Sequence, residues 1–330
     1  MRGSRIAGLG KYVPDRVVTN DDLSKLMETT DEWIQKRTGI KQRHWVEGDV
    51  GGSDLAVPAS LQALEQAGID AKDLDMIVFG TLSPDVGFPG NSSFLQAKLE
   101  CPGIAILDIR NQCTGFIYGL AIADQFIRSG MMNNILVVGG EVHSSGLDIS
   151  TQGRDVAVLF GDGAGAAVLT ASDDEHRVLG SVLHGDGRHA EILMCEVPAS
   201  RSNPRVTHEM LDQGRHYPKM DGRSVFRHAV TRMPEAIHEV LAAHDYSLDD
   251  VDLLIPHQAN LRINEMVARQ LKLDPERVYN NIQRYGNTTA ASVPIALCEA
   301  QEEGRVKPGD LVLLAGFGAG LTWGANLIRW

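Results

Sequence analysis

Long apolar runs are missing from this 330-residue chain, and no stretch has the length needed to span a bilayer. Membrane insertion is therefore not expected. The N-terminus lacks the charged-then-apolar pattern of a secretory signal. Cysteine is scarce and scattered: Cys101, Cys113, Cys195 and Cys298 form no CxxC pair and have no histidine at zinc-binding spacing. Free thiols in a reducing cytoplasm are expected, with no metal site. Basic charge is short as well. The chain has 31 Lys and Arg against 43 Asp and Glu, a net charge of −12, and such a surface repels nucleic-acid phosphates. The glycine runs at Gly161 and Gly318 lack GxGxxG spacing and lead into strand-like sequence, which excludes a dinucleotide fingerprint.

What is present is ordinary for a folded soluble protein: 43% hydrophobic and 22% charged residues, at a length that suits two domains or two fused halves. Apolar patterning predicts strands over 4–9, 76–82, 104–109, 135–138, 156–160, 164–169 and 253–255. Helices are predicted over 55–67, 116–127, 229–243 and 293–300. A further short helix carries Leu23, Leu26 and Met27 on one face, capped by Asn20 or Asp21. The helix at 229–243, Asp250-Val251-Asp252 and the next strand repeat the order of the helix at 55–67, Asp73-Leu74-Asp75 and its strand. Phe317-Gly318-Ala319-Gly320 and its apolar tail echo Phe160-Gly161-Asp162-Gly163 and its strand at a separation of 157 residues, against 177 for the aspartates, and such unequal offsets indicate two related α/β halves, not a short-period solenoid. Ligands in such sheets collect at strand C-termini, so a cleft between the halves draws loops from both.

Three positions carry candidate chemistry. Cys113 follows an apolar strand and precedes an apolar-periodic helix, where free N–H groups and the helix dipole favour a thiolate. The competing reading is a small core residue. His257 stands directly beyond the strand ending in Ile255-Pro256, either as a structural histidine or as a site residue. Asn287 lies in a turn before a helix, where capping is the plain explanation. Taken together the three suggest a Cys/His/Asn site, in which a thiol takes an acyl group and two side chains donate to an oxyanion. Elsewhere, Trp33 to Arg43 carries four basic residues and no acidic one: a solvated helix face, or a docking patch in which Trp33 stacks on a flat ring.

The chain resembles the β-ketoacyl-acyl carrier protein synthase III family of thiolase-superfamily condensing enzymes. The resemblance rests on Thr29-Thr30-Asp31-Glu32-Trp33 with Arg37-Thr38-Gly39-Ile40, and on Cys113 with Gly115-Phe116. It continues through Phe160-Gly161-Asp162-Gly163, His257-Gln258-Ala259-Asn260-Leu261-Arg262, Gly286-Asn287-Thr288 and Gly318-Ala319-Gly320. It implies an α/β thiolase-like fold layered αβαβα, with an N-terminal half of residues 1–172 and a C-terminal half of residues 173–330. It implies Cys113 as the acylated nucleophile, with an oxyanion hole from the N–H groups of Cys113 and Ala319. His257 and Asn287 become the donors to a malonyl thioester enolate. Thr29, Trp33, Arg37 and Arg154 become CoA contacts, Arg262 and Arg269 an acyl carrier protein docking patch, and Phe160 and Phe317 acyl-pocket walls. Phe88 reaches across an obligate homodimer into the neighbouring pocket. Acyl-CoA and a malonyl thioester are then substrates, with no tightly bound cofactor.

Two features depart from the compact members: Arg110-Asn111-Gln112 before the nucleophile, and added length between Gly185 and Gly222, where the family builds the mouth and wall of its acyl tunnel. Both resemble the alkylquinolone-synthesising branch. His143 falls near a pocket-lining position that is apolar in ordinary members. A specialised synthase taking aryl or medium-chain acyl-CoA, a non-condensing acyltransferase or thioesterase, and a carrier-binding scaffold are the alternatives.

Overall fold

The structure is a computed structural model that describes residues 2–330. Two sheets form its frame. The first contains β1 (Gly3–Tyr12), β2 (Met76–Gly80), β3 (Ala105–Ile109), β4 (Asn134–Glu141) and β5 (Gly163–Ser172), in the order β1-β5-β4-β2-β3. The second contains β6 (Arg177–Gly185), β7 (Leu253–Pro256), β8 (Leu311–Gly318) and β9 (Thr322–Arg329), in the order β7-β8-β9-β6. In the first sheet β2 is parallel to β4, β4 antiparallel to β5, and β5 antiparallel to β1. The second repeats this as β7 parallel to β8, β8 antiparallel to β9, and β9 antiparallel to β6.

The helices that position the site are α1 (Asp31–Thr38), α2 (Gly52–Ala67), α3 (Gly115–Arg128), α4 (Gly222–Ala242), α5 (Leu261–Leu271) and α6 (Ser292–Glu302). α3 and α6 contact both sheets and form the middle layer, while α2 covers the first sheet and α4 the second. α3 is buried along most of its length because both its faces meet a sheet. Phe116, Ile117, Leu120, Ala123 and Ile127 are fully enclosed, and each large side chain among them contributes roughly 1.5–3 kcal/mol by leaving water.

The repeat read from the sequence has a hydrogen-bonding basis. Asp75 N–H donates to Asn134 O, and its carboxylate accepts from the N–H groups of Asn133 and Asn134. Asp252 does the same in the other half, donating to Leu311 O and accepting from Leu311 N–H. Each aspartate thus sets the register of the two parallel strands that follow it.

Two expectations need correction. Residues 156–160 are not a strand: Arg154–Ala157 make a single helical turn, and only Phe160 bridges to another chain segment, Asn287. The early helix covers only Asn20–Ser24, and its cap is Thr19, through a capping box with Asp22. Because the helix ends there, Leu26 is exposed. Among the described residues no helix is long and apolar enough to cross a membrane, and no group of three or more His, Cys, Asp or Glu is placed to hold a metal ion.

Candidate active site

β3 ends at Ile109, a 3-10 turn covers Gln112–Thr114, and α3 begins at Gly115. Cys113 therefore projects at the strand-to-helix turn, 7% exposed. Gly318, at the end of β8, lies against it: a Cβ built there would stand 2.5 Å from Cys113 Cβ and 3.0 Å from its Sγ. Only glycine lets the second half approach the thiol this closely. The turn after β8 is held by Thr322, whose hydroxyl donates to Ala319 O and meets Thr114 Oγ1 at 2.7 Å.

His257 follows β7 directly, and its N–H donates to Ala315 O on β8. The ring is 2% exposed. Nδ1 lies 2.6 Å from Ser292 Oγ, at the start of α6. Gln258 N–H also donates to Ser292 Oγ, and in the tautomer that offers a donor to the cavity the serine gives its own proton to Nδ1. The imidazole proton then sits on Nε2, which is buried and meets no protein partner. Burial pushes the His257 pKa down to about 3, so the ring is neutral at ordinary pH.

Asn287 is pinned through its backbone, which donates to Leu159 O and accepts from Gly161 N–H. Its Oδ1 accepts from Thr289 N–H at 2.9 Å. Only the oxygen can accept, so the carboxamide orientation is fixed and Nδ2 is left for a ligand. The helix-cap role expected of Asn287 is not found, because Thr288 and Ala291 hold the cap positions; its Oδ1 bond closes a local turn, and the residue lines the site.

Cys113, His257 and Asn287 all line one cavity of about 700 Å³, together with Phe160, Phe317 and Ala319. The ionisation expected of Cys113 is corrected here. A helix N-terminus and the N–H groups of Ala319 and Cys113 favour the thiolate, but burial outweighs them. Assisted by the charge of Glu141, it pushes the thiol up to about 12. Glu141 itself is buried, which raises its pKa to about 7 against donors from Ser83, Leu82, Thr81 and Ala290. Neither its place beside the site nor the support of His257 by Ser292 was legible in the sequence, since both pairings join distant segments.

At the mouth, Trp33 on α1 has the Arg37 and Arg154 guanidinium groups over its ring at 4.0 and 4.9 Å. Trp33, Arg37 and Arg262 line the cavity, and Lys36, Arg37 and Arg262 line an adjoining groove. Thr29 does not line the cavity, and its hydroxyl is buried without a partner. Arg269 lies in the last turn of α5, away from the lining. Phe88 is 83% exposed and does not line the cavity that holds Cys113. The long segment after Gly185 forms a hairpin, Leu193–Cys195 with Pro218–Met220, that walls the cavity, and Arg110 and Gln112 line it too.

Residues 107–187 match the family description 3-Oxoacyl-[acyl-carrier-protein (ACP)] synthase III, and residues 241–330 match its C-terminal counterpart. The chain is 46% identical to the beta-ketoacyl-[acyl-carrier-protein] synthase III of Caldanaerobacter subterraneus subsp. tengcongensis, over 98% of this chain and 97% of that protein. It is 47% identical to that of Xanthomonas euvesicatoria pv. vesicatoria, over 99% and 98%. The chain belongs to the 3-oxoacyl-[acyl-carrier-protein] synthase III family. The crystal structure of the Aquifex aeolicus member superposes with a TM-score of 0.91 at 43% identity, covering 99% of this chain and 100% of that one. The fold is therefore the thiolase-like α/β fold, and the chain is an acyltransferase of the condensing type.

Proposed function

We propose that this chain condenses an acyl group from acyl-CoA with a malonyl group on acyl carrier protein, releasing CO2 and 3-oxoacyl-carrier protein. The observation that carries this is that Cys113, His257 and Asn287, from distant parts of the chain, line one cavity, with His257 Nε2 buried and without a protein partner. The Cys113 sulfur attacks the acyl thioester and expels CoA thiol, while the N–H groups of Cys113 and Ala319 hold the oxyanion. The malonyl thioester then loses CO2, and its enolate oxygen takes hydrogen bonds from His257 Nε2–H and Asn287 Nδ2. The carbanion attacks the acyl carbonyl on Cys113 and frees the thiol. Trp33, Arg37, Arg154 and Thr29 form the CoA mouth in this reading, Thr29 through its unpartnered hydroxyl. Phe160 and Phe317 wall the acyl end.

Arg262 on α5 joins Lys36 and Arg37 in a basic patch on an acidic protein, suited to an acidic carrier, and Arg269 lies farther along the same helix. With acyl-CoA and malonyl-carrier protein, wild type yields CO2 and carrier-bound 3-oxoacyl product by mass. The Arg269→Glu variant, whose side chain stands off the cavity lining, should lose roughly tenfold of its rate with malonyl-carrier protein and spare malonyl-CoA, whereas Arg262→Glu at the mouth should weaken both. Equal loss on both substrates in Arg269→Glu would remove the docking role, and no product from any acyl-CoA would overturn the condensing assignment.

We also infer a homodimer. β3 is an edge strand, bonded only to β2, and its Ala105, Ile106 and Asp108 are exposed. Uncovered apolar edges invite pairing with another strand. Phe88 belongs to the same face, because Ser92 just beyond it is tied through N–H and hydroxyl to Asp108 of β3. A second copy paired along β3 would cover this edge and receive Phe88. Light scattering should give twice the chain mass of 35.9 kDa; the mass of a single chain at assay concentration would overturn the dimer.

A further inference from the structure

Thr289 is buried and β-branched, yet its φ is +48°. That region disfavours such residues, so surrounding contacts must hold it there. Two contacts do. Its N–H donates to Asn287 Oδ1 at 2.9 Å, and its hydroxyl meets His143 Nε2 at 2.8 Å. His143 is itself immobilised. Its N–H donates to Asp162 Oδ1 at 2.6 Å, and its ring packs on Phe160 with centroids 4.7 Å apart. Asp162 is anchored by Val46 N–H and by Ser144 Oγ. From this geometry we propose that His143 is a positioning residue for the condensation step, holding Thr289 in the left-handed conformation that aims the Asn287 carboxamide.

The inference rests on the reading that Asn287 faces the malonyl thioester. The physical link is directional. Asn287 offers Nδ2 to the cavity while Oδ1 is occupied by Thr289 N–H, and Thr289 makes that bond in its positive-φ conformation. Without the imidazole, Thr289 is free to relax to an ordinary backbone conformation, and the N–H turns away. The carboxamide then loses its fixed orientation. Acyl loading of Cys113 uses the oxyanion hole on the β8–β9 turn and does not depend on this relay.

Thr289→Val keeps the shape and removes the hydroxyl; His143→Phe keeps the packing on Phe160 and removes the nitrogen. The test measures two half-reactions separately: acyl transfer from acyl-CoA to Cys113 by mass, and CO2 release from malonyl-carrier protein. For Thr289→Val, which lies outside the cavity lining, CO2 release should fall about 10- to 100-fold while acyl loading holds; His143→Phe, at the cavity wall, should show the same fall in CO2 release. Thr289→Ser should restore CO2 release. The double variant should be no worse than either single one, because a single bond is removed. Unchanged CO2 release in either variant, a parallel fall of both half-reactions in Thr289→Val, or failure of Thr289→Ser to rescue would each overturn the relay. Wild type inactive in both half-reactions would instead overturn the condensing assignment on which the relay rests.

Discussion

Incubation with an acyl-CoA adds one acyl mass to the wild-type chain, mapped to the Cys113 peptide, and none to Cys113→Ala. Condensation in that variant falls roughly 10⁴-fold or more, since alanine offers neither nucleophile nor acyl carrier. Peptide mapping matters because Cys195 lines the same cavity and is exposed, whereas Cys101 and Cys298 are buried. Exposure alone would favour Cys195. The N–H groups of Ala319 and Cys113, which reach the Cys113 sulfur, distinguish Cys113 and are the donors proposed for the tetrahedral oxyanion. The pH dependence follows from the raised thiol. With its pKa near 12, the thiolate fraction grows about tenfold for each pH unit below that value. Acyl loading should therefore accelerate with pH through and above neutrality. Modification on Cys195 alone, or none across a broad acyl-CoA panel, would remove Cys113 as nucleophile.

The parts legible in the sequence are those whose causes are local. The strand, turn and helix around Cys113 follow from an apolar run and a 3.6-residue apolar period, and the structure places them within a residue or two of expectation. The Asp-Leu-Asp echo exposed the repeat because each Asp75-like aspartate bonds to the strand beside it. Residues 156–160 misled because a short apolar run reads alike as strand or buried turn. The backbone there spends its bonds on the helical turn beginning at Arg154. The ionisation of Cys113 was illegible for a different reason. The helix that favours the thiolate is adjacent in sequence, while the burial and the Glu141 charge that oppose it come from other segments. The Ser292 contact to His257 and the His143 contact to Thr289 likewise join distant parts of the chain. No periodicity reports such pairings.

Replacing Asn287 by alanine should leave Cys113 open to acylation yet stop CO2 release from the malonyl thioester. Decarboxylation moves an electron pair onto the thioester oxygen, and a buried enolate without donors is costly. Loss of one such donor typically slows a step about 10²- to 10³-fold, or roughly 2.7–4 kcal/mol. His257→Ala should act alike, because its Nε2–H is the second donor and has no competing protein partner. Burial holds the His257 pKa near 3, so the neutral ring persists as pH falls through the mildly acidic range. His257 should therefore contribute no acid limb to decarboxylation above about pH 5. The two variants should be less than additive when combined, since both donors serve one oxygen. The measurement is CO2 release alongside acyl loading for each variant. An Asn287→Ala enzyme that condenses at the wild-type rate would show that the enolate is held elsewhere. In that event the bond from Thr289 N–H to Asn287 Oδ1 would be only the local turn contact that a non-functional asparagine makes.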